Sequence, residues 1–169
     1  MSINILVLCT GNSARSVLGE ALLNKLGNGR ISAYSAGSNP TGKVNPAALR
    51  LLDSKGFDTS EYRSKSWDEF TDTHAAKMDI VITVCGNAAG ETCPIWPLKN
   101  GEQPVRIHMG FPDPADFGET DSIRDQAFAK VYEAQVKTFS AIIALPLESM
   151  PRETWAEALN AITVADVTL

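Results

Sequence analysis

Ile3 to Leu8 forms a short, nearly continuous apolar run, the pattern of a buried strand. Beyond it the period changes. Val17, Leu18, Ala21, Leu22 and Leu26 recur at helical spacing, which predicts a helix from about Ala14 to Leu26, with Ser13 as its cap and Gly27 and Gly29 as its stop. Ile31 to Ser35 reads as a second strand, and Ala36-Gly37 begins a loop. Asn45-Pro46 has the form of a helix cap and first helical residue, with Leu49 and Leu52 on the inner face and Gly56 at the end. Ser60 to Lys65 is loop and Trp67 to Phe70 a short helix. Asp79 to Val84 is a β-branched run suited to a buried parallel strand. Gly86 to Pro97 holds glycines, alanines and two prolines, which predicts a mobile loop. Val105 to His108 follows as a fourth strand. A long helix runs from about Asp121 to Leu145 on Ile123, Phe128, Val131, Phe139, Ile142 and Ile143.

This alternation of strands and helices is that of an α/β protein. Short connections and right-handed crossovers favour a four-stranded parallel sheet of flavodoxin-like order 2-1-3-4, with helices on both faces and the site at the carboxyl edge of the strands. Strands one and three are then neighbours. The pattern divides the chain into a domain over residues 1–145 and an extension over 146–169, in which Pro151 to Asn160 makes a short helix burying Trp155 and Leu159 and the last residues fray.

Composition narrows the function classes. A chain of 169 residues with 44% apolar content suits one soluble domain. Its net charge of -5 argues against a general affinity for nucleic acid or an anionic membrane, so an anion site must be local. No apolar run reaches the length of a membrane span, and the first lacks a basic leader, so the expected place is the cytoplasm and the expected state a monomer. Three cysteines cannot all be paired at once, and in a reducing compartment they are free, metal-bound or redox-active.

The stretch Cys9-Thr-Gly-Asn-Ser-Ala-Arg-Ser16 falls between the first strand and the first helix. A strand-to-helix turn aims successive N–H groups at one point, and the helix N-terminus adds a field that favours an anion. That field and the Arg15 guanidinium favour a thiolate at Cys9, and the guanidinium fork can grip two oxygens of a tetrahedral oxyanion. Taken alone, the stretch fits a nucleophile in an oxyanion pocket or a buried structural cysteine. If strands one and three adjoin, Cys9 and Cys85 stand at strand ends about 4.8 Å apart, a separation compatible with a disulfide. Cys93, eight positions beyond Cys85, could reach it by thiol exchange. The bland alternatives are a buried Cys85 and a solvent-facing Cys93. A zinc site is the weaker rival, for there is no C-x-x-C pair and only His74 and His108 could complete it, so no metal and no tightly bound cofactor is expected. Both histidines suit structural hydrogen bonds. Asp113, held between two prolines, is the candidate proton donor to a leaving oxygen, with Asp116 as competitor and simple turn chemistry as the alternative.

These residues, with Tyr34-Ser-Ala-Gly, Val44-Asn-Pro-Ala, Val84-Cys85, Cys93-Pro-Ile and Gly110-Phe-Pro-Asp-Pro-Ala, resemble the arsenate reductases built on the low-molecular-weight protein tyrosine phosphatase fold, especially the three-cysteine, thioredoxin-coupled kind. The resemblance implies that Cys9 attacks arsenate while the amides of Thr10, Gly11, Asn12, Ser13, Ala14, Arg15 and Ser16 and the Arg15 fork hold its oxygens, and Asp113 protonates the departing hydroxyl. It further implies that Cys85 attacks Cys9 to release arsenite, and that Cys93 passes the disulfide to an external thiol reductant. Phosphate and sulfate would be the competing anions. The chain departs from the family pattern in three places. Cys93 lies one residue further from Cys85 than in the best-known thioredoxin-linked members, which leaves a glutaredoxin route open. A cation site of some relatives is matched by Asn12, Glu20 and Ser35, but Lys65 takes the place of an aspartate, and its ammonium could replace the cation. The extension after Pro146 lies outside the usual core. Two other readings share the same residues: a tyrosine phosphatase, for which Ala115-Asp116-Phe117 offers one aromatic where the family usually has more, and a non-enzymatic anion-binding or redox-sensing module.

Overall fold

The computed structural model describes residues 2–169. Four parallel strands, β1 (Ile3–Cys9), β2 (Ile31–Gly37), β3 (Ile80–Thr83) and β4 (Val105–His108), form one sheet in the order β2-β1-β3-β4. β1 lies at the centre, pairing Val7 with Ser35 on one side and with Ile82 on the other. A strand so enclosed has no water-facing edge, which is why its sequence is apolar nearly throughout. The helices are α1 (Arg15–Gly27), α2 (Pro46–Ser54), α3 (Gly86–Gly90), α4 (Asp121–Ala144) and α5 (Trp155–Asn160).

Alternation along β1 sends Ile5, Val7 and Cys9 to one face of the sheet and Leu6 and Leu8 to the other. The first set packs with Val17, Leu18, Ala48, Phe128 and Phe139 from α1, α2 and α4. The second is covered by Phe70 of a short 3-10 helix (Trp67–Phe70) together with Met78 and Trp96. Among the described residues no helix is long and apolar enough to cross a membrane.

Several local expectations are corrected. Ser13 does not cap α1: the cap position is Ala14, without a side-chain hydrogen bond, so the first amides of the helix are not satisfied by a capping side chain. The helix is stopped by Asn28, in the left-handed conformation (φ 44°), rather than by Gly27, which is still helical. β2 continues to Gly37, past the Ala36-Gly37 expected to open a loop. The stretch expected to be irregular from Gly86 to Pro97 begins as α3, because the Cys85 sulfur accepts from the Ala88 amide (3.3 Å) and thereby caps a single turn. The last residues do not fray. Val164, Ala165, Val167 and Leu169 pack against the main core, and the Ala165 amide donates to the buried hydroxyl of Thr138 on α4 (3.0 Å). Upstream, Trp155 and Leu159 of α5 are buried in the same core, as their spacing predicted.

Candidate active site

β1 delivers Cys9 to the carboxyl edge of the sheet, and the chain then turns sharply into α1. Asn12 sits at the tightest point with a left-handed backbone (φ 44°), a conformation asparagine tolerates better than most side chains. The carbonyls of Thr10, Gly11 and Ser13 face away from the turn's centre, accepting from the amides of Asn39 (3.0 Å), Thr41 (3.0 Å) and Asn45 (2.8 Å). Because each peptide is planar and trans, the N–H groups of Gly11, Asn12 and Ala14 point to the opposite side. At the positive end of α1, amides left free in this way are available to an anion. Gly37 packs so closely beneath this turn that a Cβ there would lie 2.4 Å from the Thr10 carbonyl oxygen. Only glycine fits that approach.

Buried side chains hold the turn from inside. Asn12 donates from Nδ2 to Ser16 Oγ (2.8 Å) and accepts at Oδ1 from the Lys65 amide (2.9 Å). Ser16 Oγ lies 2.9 Å from Cys9 Sγ. When Cys9 is ionised its sulfur can only accept, and the Ser16 hydroxyl is then the donor in this contact. Gln135 on α4 donates to the Arg15 carbonyl (3.0 Å), tying the start of α1 to the long helix.

The Arg15 guanidinium donates to the Phe111 carbonyl (3.0 Å) and pairs with Asp113 Oδ2 (3.1 Å). Asp113, more than half exposed, uses its other oxygen to accept from the Ala115 amide (3.0 Å), the local turn bond expected of an aspartate between prolines. Asp113 rather than Asp116 therefore meets the arginine, although both line the pocket. That pocket has a volume of about 460 Å³ and is walled by Cys9, Ser13, Arg15, Cys85 and Asp113, with Lys43 at its side.

Cys9, at the end of β1, and Cys85, just past the neighbouring β3, thus open onto one cavity, both buried and both reduced. Cys93 lies apart. It packs against the cluster of Leu6, Leu8 and Trp96 on the opposite face of the sheet, in a segment without regular secondary structure in which Ile95 is 86% exposed. His108 Nδ1 bonds the Thr83 hydroxyl (2.8 Å), the structural role its sequence context suggested. Among the described residues no group of three His, Cys, Asp or Glu side chains is placed to hold a metal ion.

Behind the turn, Asn12, Glu20, Ser35 and Lys65 come together. Glu20 Oε1 accepts from the Ser35 amide (2.8 Å) and lies 3.6 Å from the buried Lys65 ammonium. Burial raises the Glu20 carboxyl above the usual range, opposed by Lys65 and by the Ser35 bonds. Burial likewise lowers Lys65, opposed chiefly by Glu20.

Two contacts were not anticipated from the sequence. Gln135 could have been found as a polar residue on the otherwise apolar face of α4 that carries Phe128, Val131 and Phe139. Glu91, whose carboxylate accepts from the Thr10 hydroxyl (3.1 Å), offered no signal beyond lying between Cys85 and Cys93.

The sequence profile of the Low molecular weight phosphotyrosine protein phosphatase family matches residues 4–145, and the chain belongs to that family. Within it, the chain is similar to arsenate reductases. One from Halalkalibacterium halodurans is 38% identical over 139 residues, covering 80% of this chain and 94% of that protein. One from Brevibacillus brevis is 35% identical over 129 residues, covering 75% and 90%. The crystal structure of the arsenate reductase from Archaeoglobus fulgidus superposes with a TM-score of 0.55 at 28% identity, covering 80% of this chain and 98% of that one.

Proposed function

We propose that the protein is an arsenate reductase working through Cys9, Cys85 and Cys93, for arsenic detoxification. The observation that carries this reading is that Cys85 shares the wall of the oxyanion pocket with Cys9. Ester hydrolysis needs one thiol there; reduction needs two. The arsenate reductase names of the relatives point the same way.

In this scheme arsenate enters the cradle and competes with Asp113 for the Arg15 fork. The Cys9 thiolate, receiving the Ser16 hydrogen bond, attacks arsenic, and a hydroxyl leaves as water with a proton from Asp113. Cys85 then attacks Cys9 Sγ. The S–S bond forms, the S–As bond breaks, and its electron pair stays on arsenic, which becomes arsenic(III) and departs as arsenite. Cys93 attacks Cys85, freeing Cys9 and leaving a Cys85–Cys93 disulfide for an external thiol reductant, thioredoxin in preference to glutaredoxin. Because Cys93 starts on the other face of the sheet, this last exchange requires α3 to unwind, which a one-turn helix of Gly86-Asn-Ala-Ala-Gly does at little cost. The Lys65 ammonium, beside Glu20 and behind Asn12, stands in for the cation bound by some relatives.

Phosphotyrosine hydrolysis is the second reading, since Cys9, Arg15 and Asp113 suffice for a cysteinyl-phosphate. The pocket disfavours it: its lining residues include no aromatic side chain to receive a phenyl ring. NADPH oxidation with arsenate, thioredoxin and thioredoxin reductase tests the choice. Turnover that disappears in Cys9→Ser, Cys85→Ser and Cys93→Ser supports the three-thiol route. Turnover only with glutaredoxin, surviving Cys93→Ser, moves the reductant; hydrolysis of a phosphotyrosine substitute without arsenate-dependent oxidation overturns the reductase reading.

A further inference from the structure

We propose that Lys43 is the second cation of the oxyanion pocket, a specificity-determining residue that pairs with an outer oxygen of a doubly charged tetrahedral anion. This rests on the reductase reading and names the residue that sets the charge of the substrate the pocket admits.

The other charges of the pocket do not suit such an anion. Arg15 is already paired with Asp113, and Asp116 stands on the same wall. In the attacking state the Cys9 thiolate adds a negative charge, and the chain as a whole carries a net charge of -5. A doubly charged oxyanion therefore meets one guanidinium set against two carboxylates and a thiolate. Lys43, exposed at the surface, is the one other cationic side chain among the described residues that line the cavity.

Its backbone is tied to the catalytic turn. The Thr41 and Asn45 amides, on either side of Lys43, donate to the Gly11 and Ser13 carbonyls (3.0 and 2.8 Å). The Gly42 amide donates to Ser64 Oγ (3.2 Å), whose hydroxyl in turn donates to the Gly11 carbonyl (3.1 Å). The Thr41 hydroxyl donates to the Lys43 carbonyl (2.8 Å). The bonds that turn two carbonyls outward, and so free the amides of the cradle, thus also seat a lysine beside it. Its flexible four-carbon stem lets the ammonium follow an anion from the mouth toward the turn.

Lys43 also differs from the lysines that serve the fold. Lys55, Lys65 and Lys99 meet carboxylates at Glu133, Glu20 and Asp79. Lys43 forms no ion pair among the described residues, although two carboxylates line the same cavity. A cation left uncompensated beside an anion cradle keeps its attraction for the ligand.

The test uses Cys9 as the reporter in a Cys85→Ser/Cys93→Ser background, at a single pH. Its alkylation by neutral iodoacetamide is compared with that by anionic iodoacetate. The ratio of the two rates cancels the ionisation of the thiol and reads the local charge. Lys43→Gln is expected to lower the iodoacetate-to-iodoacetamide ratio about threefold. It should also raise about fivefold the concentration of inorganic phosphate that half-protects Cys9 from iodoacetamide, both factors lying within the usual range of an exposed ion pair. Lys43→Arg retains both values, Lys43→Glu moves both further, and the differences shrink in about 1 M salt. In the protein with all three cysteines, Lys43→Gln raises the KM for arsenate about fivefold with kcat held within about twofold, the mark of lost binding rather than lost chemistry. A ratio and a half-protecting concentration that Lys43→Gln leaves unchanged overturn the proposal, as do equal changes in Lys43→Arg or a parent that phosphate does not protect. A parent chain inert toward arsenate overturns the reductase reading, and the alkylation and protection results still decide the part played by Lys43.

Discussion

Ser16 shows how much one hydroxyl can direct. It is fully buried, it accepts from Asn12, and it lies 2.9 Å from the Cys9 sulfur, to which it donates once that sulfur is a thiolate. A hydrogen bond to a charged group contributes about 1.5–3 kcal/mol, so Ser16→Ala is expected to lower kcat/KM for arsenate by roughly 10- to 100-fold. Ser16→Thr, which keeps the hydroxyl, should retain more of the activity than Ser16→Ala; equal losses in both would mean that packing and not the donor matters. Read from the residues alone, Ser16 and Asn12 are members of the turn, and the family resemblance adds Asn12 to a cation site. Which of them touches the sulfur depends on Asn12 adopting a left-handed backbone, a choice that the contact with Lys65 from a distant loop helps to fix.

At the level of elements, the end of α4 is held by Arg30, which precedes β2. Its guanidinium donates to the carbonyls of Ile143 (2.8 Å) and Leu145 (3.1 Å), satisfying groups that a helix C-terminus leaves open, and it pairs with both oxygens of Glu148. The Glu148 carboxyl is thereby held down from 4.5 to about 2, with the Arg30 hydrogen bonds as the main cause. A depressed carboxyl stabilises the fold above its unfolded value and loses that contribution as pH falls toward its folded one. Glu148 is 42% exposed, so solvent screening limits the pair to about 0.2–1 kcal/mol. Urea unfolding at several pH values should show Glu148→Gln less stable than the parent at pH 7, with the gap closing between pH 4.5 and about 2. A gap that stays constant across that range would assign the difference to something other than the ion pair. The strand-helix succession was legible because each element carries its own period and its own stops. The single turn of α3 was not, because its cap is a cysteine sulfur rather than one of the usual oxygen-bearing side chains.

For the molecule as a whole, the extension after Pro146 belongs to the core. Leu147, Trp155 and Leu159 are buried, and Arg152 binds Asp79 at the start of β3 (3.3 Å) and the Gln103 carbonyl (2.9 Å). Leu159→Ala is expected to cost about 2–5 kcal/mol in urea unfolding, with the concentration of arsenate giving half-maximal rate unchanged in the folded enzyme. Loss of less than 1 kcal/mol would show the extension to be a loosely applied strap. From the sequence, Pro151 to Asn160 is legible as a helix with an inner face, whereas the last residues are expected to fray from their terminal position alone. They stay because α4 offers them a buried hydroxyl and a groove, features that belong to another part of the chain.

The sequence by itself determined what is local: the apolar period of each strand and helix, the asparagine-proline start of α2, and the glycine-bearing turn that sets Cys9 and Arg15 at a helix N-terminus. These follow from backbone sterics and side-chain periodicity over a few residues, which do not wait on the rest of the fold. Only the tertiary structure decided which distant groups meet. It seated Cys93 on the other face of the sheet from Cys9, gave Arg15 to Asp113 rather than Asp116, and brought Glu91 to Thr10. Those pairings depend on how the sheet orders its strands and on which loop reaches which cavity, and no spacing along the chain encodes them.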